Sequence, residues 1–237
     1  ISIYNRILDI IKFENNTVFK KRIKDLRAFS KKLNFQKNVA EERIYFHTHK
    51  AELEHYIYYN IEEAFILMQK TKKAIEDNKY TIEPYYFIAF YYLFAVIHCK
   101  LGDYSGGLKF INAILNEYKL KERPSIYIKA ELLNIIIHFE LNNYSHVLTN
   151  INNIKKKYFK VYNLNFTEKK IIEILQNIAS NPKESSRKKE FNLLNKQLEL
   201  ISDFEQVTSN HFYIYYISNF WKTNNVGESD KKYCKTY

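Results

Sequence analysis

Shifted against itself by 40 residues, the chain meets its own pattern. Segment 84–123 aligns with 124–163 at Pro84/Pro124, Ile88/Ile128, Leu93/Leu133, Ile97/Ile137, His98/His138, Leu101/Leu141, Tyr104/Tyr144, Ser105/Ser145, Leu108/Leu148, Ile111/Ile151, Asn112/Asn152, Ile114/Ile154 and Tyr118/Tyr158. That is 13 identities in 40 positions, with Phe87 opposite Tyr127 as a further aromatic match. A period of this length marks a supersecondary unit that cannot bury its apolar face alone and must stack on copies of itself. No other feature of the chain limits the fold so strongly.

Within each unit the apolar residues recur at helical spacing on both sides of a short break. The breaks read Leu101-Gly102-Asp103-Tyr104 and Leu141-Asn142-Asn143-Tyr144. Gly102 and Asn142 suit the left-handed residue that ends a helix, because both tolerate positive φ. Asp103 and Asn143 can then cap the following helix with a side-chain oxygen. Tyr104 and Tyr144 open that second helix and are expected to pack back on the first. Upstream, Ile3, Ile7, Ile10 and Ile11 mark one helix. Val18, Phe19, Ile23, Leu26 and Phe29 mark a second, after an Asn15-Asn16-Thr17 cap. Helices follow over about 38–58 and 61–78, with a break at Tyr59-Asn60, and Pro84 fits the first turn of the next. Downstream, 167–179 reads as a helix capped by Thr167, and 187–207 as a long amphipathic helix through Phe191, Leu194, Leu198, Ile201 and Phe204. Segment 211–221 (HFYIYYISNFW) is intensely aromatic.

Composition supports the helical reading. Of 237 residues, 46% are hydrophobic and 16% aromatic, too many for a disordered chain. Only 4 Gly and 3 Pro are present, which argues against turn-rich sandwiches and barrels and leaves little material for a phosphate-binding loop. The net charge is +11, from 37 Lys+Arg against 26 Asp+Glu. Lys, Asn, Ile, Tyr and Phe are abundant together and share AT-rich codons, so genome composition accounts for the charge as well as an anionic partner does.

Segment 85–97 (YYFIAFYYLFAVI) is the longest apolar run, 13 residues where a membrane span needs about 18 to 20. It is expected to be a buried helix, and no membrane span is predicted. Cys99 and Cys234 form no CxxC pair, so a reducing compartment, the cytoplasm, is the expectation. The chain does not begin with Met and reads as the trimmed or C-terminal piece of a longer one, leaving room for an upstream signal or domain.

Tyr91, the Leu101-Gly102-Asp103-Tyr104 turn, Gly107-Leu108 and Ile111 together resemble a tetratricopeptide repeat, with Ala95 and Gly107 at its small-residue positions. The second unit departs from the pattern: Ile135 and Val147 replace the small residues, and the period is 40 residues against about 34. A degenerate unit precedes them, 59–65 aligning with 102–108. The stretch 124–144, with Tyr158-Phe159, also resembles the C-terminal half of a group of uncharacterised bacterial tetratricopeptide-type proteins. The resemblance implies an all-α solenoid of antiparallel helix pairs, about ten or eleven helices, with a cap of long C-terminal helices. Its organisation would be N-terminal helices over 1–36, repeats over 37–165 (about 40–80, 84–123 and 124–163), capping helices over 166–222, and a flexible tail over 223–237. It also implies that the first helix of each pair lines a concave groove. By alignment the groove positions are His49, Leu53 and Tyr56, then Tyr92, Val96 and Lys100, then Lys129, Leu132, Ile136 and Glu140. An apolar, aromatic floor edged by Lys100 and Lys129 would suit an extended peptide carrying an acidic group.

Chemistry of other kinds finds little footing. His47 and His49 are two apart on a helix and point about 200° away from each other, so they do not chelate one ion, and with His55 they complete no ligand spacing. Glu41-Glu42 and Glu62-Glu63 diverge as sequence neighbours. Cys99 lies in an apolar helix and reads as core. No catalytic residue, cofactor or metal is expected. The leading expectation is a non-enzymatic scaffold binding a protein or peptide. One rival is a basic helical array binding nucleic acid through Lys20-Lys21-Arg22, Lys155-Lys156-Lys157 and Arg187-Lys188-Lys189, were these to share a face. The other is a peptide-sensing regulator whose output domain lies upstream.

Overall fold

The structure, a computed structural model, describes residues 15–32, 39–77, 84–117, 124–158, 164, 166–183, 189, 190 and 193. The expected N-terminal helix of Ile3–Ile11, most of the 187–207 helix, the aromatic segment 211–221, the tail and Cys234 lie outside the described residues. The described residues hold eight α-helices and no strand. They are α1 (Asn16–Lys32), α2 (Val39–Tyr59), α3 (Ile61–Glu76), α4 (Pro84–Lys100), α5 (Tyr104–Glu117), α6 (Pro124–Glu140), α7 (Tyr144–Tyr158) and α8 (Phe166–Ser180). The fold is all-α.

Helix starts follow local chemistry. Asn15 Oδ1 accepts from Val18 N at 3.0 Å and opens α1. Asn60 is extended and its side chain accepts from Glu63 N, which starts α3 immediately after α2 with Glu62 and Glu63 in the positive first turn. Pro84 and Pro124 stand first in α4 and α6, where a missing N–H costs nothing. One expectation is corrected: α8 begins at Phe166, so Thr167 lies within its first turn and is not the cap.

The two repeat turns share one backbone geometry. Gly102 sits at φ 76° and Asn142 at φ 58°. Gly102 N donates to Cys99 O at 3.0 Å and Asp103 N to His98 O at 2.9 Å. In the second unit Asn142 N donates to Phe139 O at 3.0 Å and Asn143 N to His138 O at 2.8 Å. These paired bonds form the Schellman ending, which satisfies carbonyls a helix terminus otherwise leaves open. Asp103 then serves the next helix, its Oδ1 accepting from Gly106 N at 2.8 Å. The α2–α3 break differs: Asn60 N donates back to Tyr56 O in helical fashion, and no residue there has positive φ.

Each helix packs on the next in sequence, and the first helices also pack on one another: α2 on α4, α4 on α6, α6 on α8. Helices α4 and α6 are apolar on nearly every side and fill the centre. Their burial runs almost residue for residue in parallel, from Ile88 to Lys100 and from Ile128 to Glu140. A single core joins α2 to α8 through Phe46, Phe90, Phe94, Leu133, Phe139, Ile151 and Ile172. Close approach is achieved at Gly107, where an added Cβ would lie 2.9 Å from Cys99 Sγ and 3.2 Å from the Ala95 carbonyl. Helix α1 stands apart, held on α2 by a small separate cluster of Phe19, Ile23 and Ala51 with Leu26. Among the described residues no helix is long and apolar enough to cross a membrane.

Candidate functional site

The first helices bring the predicted groove residues onto one row, α2 to α4 to α6, but their exposure divides them. Val96 is 0% exposed, Leu132 2% and Tyr92 8%; Leu53 and Ile136 are equally core. These five cannot form a floor open to a ligand, because they lie in the core where α2, α4, α6 and their neighbouring helices pack together. His49, Tyr56, Lys100, Lys129 and Glu140 are half-buried and keep an accessible edge. The structure thus converts the expected floor into an internal seam with a polar margin.

Burial shapes the chemistry of that margin. His49 Nδ1–H donates to the Tyr45 carbonyl at 2.8 Å, and its ring leans on the Tyr45 ring at 3.8 Å between centroids. Loss of solvent lowers its pKa to about 4, with Arg27 adding to the effect. Beside it, Glu52 is pushed up to about 7 by burial, although Arg27 Nη2 at 2.6 Å favours its charged form. Burial, with Glu52 and Glu63 adding, pushes the Tyr56 hydroxyl up to about 12. The Phe19 ring meets Tyr56 edge-on, and the Lys20 ammonium lies 5.7 Å from the Tyr56 ring centre. Tyr92 is shifted up by burial, and its hydroxyl has no hydrogen-bond partner.

Lys100 has a structural employment that its sequence position concealed. Its ammonium donates to the Ile57 carbonyl, one of the last four of α2, which helix geometry leaves open. Desolvation lowers its pKa to about 8. The bond ties the C-terminal ends of α2 and α4 together, and the exposed residues Tyr58, Tyr59 and Leu101 stand at those two ends. Sequence reasoning passed over them. The available signal was Leu101, an apolar residue just beyond its helix end; its repeat counterpart Leu141 is instead partly buried against the core.

Two basic runs fall among described residues. Within them Lys20 pairs with Glu63 at 2.7 Å, Lys157 lies 3.5 Å from Glu131, and Lys155 donates to Gln176. His98 Nδ1 meets Asp103 Oδ2 at 2.8 Å, a structural pairing at the turn. Burial works to raise the Asp103 carboxyl, but the Gly106 N–H and the His98 imidazole outweigh it and hold it below its ordinary value. Among the described residues no group of three or more His, Cys, Asp or Glu is placed to hold a metal ion. No family model, curated protein or solved structure matches the chain.

Proposed function

We propose that the chain is a non-enzymatic scaffold that binds a protein or peptide along the edge formed by the ends of its first helices. The helix pairs are read as a tetratricopeptide-like solenoid, on the strength of the 40-residue repeat, the two matching Schellman turns and the contacts between successive first helices. The observation that carries the reading is the exposure of Tyr58, Tyr59 and Leu101, by 37%, 42% and 38%, at two helix ends that half-buried Lys100 ties together. Large apolar side chains held at a rigid edge, beside polar groups, are what a partner surface needs. Half-buried Tyr56 and Glu140 lie near the C-terminal ends of α2 and α6 and are assigned to the margin of that edge, whereas the core residues Tyr92, Val96 and Leu132, and His49 and Lys129 farther from those ends, are not.

The basic-array alternative gains less from the geometry, since Lys20, Lys155 and Lys157 are engaged with the protein's own Glu63, Gln176 and Glu131. The reading is tested by capturing partners on the full chain and measuring their affinity for a Tyr59→Ala/Leu101→Ser variant. A loss of about tenfold or more, with unchanged helicity, is expected from removing two interface anchors. Unaltered affinity would remove the edge from consideration, and salt-sensitive retention on nucleic acid in place of protein would favour the basic array.

A further inference from the structure

The two repeat turns have the same backbone but carry different side chains. In the first, His98 faces the carboxylate of Asp103, and Gly106 leaves the space that this pair occupies: a Cβ there would lie 2.5 Å from His98 Nδ1. In the second, the carboxylate becomes the amide of Asn143 and the glycine becomes His146. The His146 ring then stands 4.1 Å from the His138 ring, centre to centre, with the planes inclined at 49°. One imidazole is exposed and the other half-buried, so the pair is open to solvent on one side.

We propose that His138 and His146 form a two-imidazole site for a late first-row divalent transition-metal ion, Zn²⁺ or Cu²⁺, with water completing the coordination. Imidazole nitrogen suits these ions, and metal binding requires it in the neutral form. The second turn also lacks the carboxylate that faces His98 in the first, so no acidic side chain of the turn competes for the ring. Asn143 lies 3.3 Å from His138 Nδ1. With its amide turned so that Oδ1 accepts the Nδ1 proton, it leaves the Nε2 lone pair to the metal and orients the ring, as a supporting group around a metal does. The ion would staple the end of α6 to the start of α7 across the strained Asn142 residue.

Calorimetric titration of the full chain with ZnCl₂ at pH 7.5 tests the site. One saturable ion is expected, and His146→Gly, which installs the residue of the first unit, should weaken binding by tenfold or more. His98→Gln and His49→Gln should leave it unchanged. Cu²⁺ should broaden the imidazole signals of His138 and His146 ahead of the other five histidines. Absence of saturable binding would overturn the proposal, as would binding that survives His146→Gly or broadening centred on other rings.

Discussion

His49 and Glu52 lie one turn apart on α2 and titrate in opposite senses. His49 is held near pKa 4 against an ordinary 6.5, so its contribution to stability is present above pH 6.5 and is lost as pH falls toward 4. Glu52 is held near 7 against an ordinary 4.5, so its contribution is full below pH 4.5 and is lost as pH rises through 7. Between 4.5 and 6.5 the fold takes up one proton at Glu52 and releases one at His49, and the two slopes oppose. Thermal melts should therefore vary little over this range in the parent chain. His49→Gln should melt lower as pH rises from 4.5 to 7, and Glu52→Gln should melt higher as pH rises from 4 to 6.5. Variants that both follow the parent curve would show that burial does not set these groups. Gly107 offers a second residue-scale check. Its Cβ-sized gap is closed by Cys99 Sγ and a backbone carbonyl, so Gly107→Ala should lose about 1–3 kcal/mol in urea unfolding. Sequence alone showed that a small residue belonged there. It also showed Val147 at the same position in the second unit, but not how the facing helix makes room for it; there Val147 is fully buried.

At the scale of elements, the helices fall into two grades of attachment. α2 to α8 share the main core, whereas α1 rests on Phe19, Ile23 and Ala51, an ion pair from Arg27 to Glu52 and another from Lys20 to Glu63. The Lys20–Glu63 pair is largely exposed and adds little, burial works against the charge of Glu52 in the other pair, and a three-residue cluster is a thin anchor. Amide exchange should therefore run fastest in α1 among the described helices. Phe19→Ala should speed it further there while leaving α4–α6 protected, since local opening costs less than global unfolding. Equal loss of protection in α4–α6 would mean that α1 belongs to the main cooperative unit. Most element boundaries were legible from Asn60, which caps through its side chain, and from Pro84, Gly102, Asn142 and Pro124, which act through their own backbone. Segment 85–97 was legible as a buried helix, yet the groove assignment set its Tyr92 and Val96, with Leu132, facing a ligand, and there the reading failed. A helix that is apolar all round has no periodic face to announce which side will be covered, so the resemblance to a grooved repeat decided the reading and the packing corrected it.

At the scale of the molecule, the main contacts among the described helices run between helices next to each other or one place removed along the chain. Such local topology favours fast folding and makes stability close to a sum of neighbouring interfaces. The central interfaces then matter most. Leu133, fully buried in α6, touches the middle of that series, and Leu133→Ala should cost about 2–5 kcal/mol by urea unfolding. Ile23→Ala in the satellite cluster should cost less by the same measurement. A reversed order would place the stability of the chain outside its centre.

The Schellman turn described above has a further implication, for how such a chain came to be and could change. Its bonds are made by main-chain groups, and its only strict demand is one residue able to take positive φ. Copying a forty-residue stretch of gene therefore copies a complete joint, already shaped to receive another helix pair. The side chains over that joint are then at liberty to diverge, as the exchange of Asp103 and Gly106 for Asn143 and His146 shows. Inheritance of the hinge and novelty in its covering are separable, so a lineage can extend this protein and acquire new surface chemistry by independent steps.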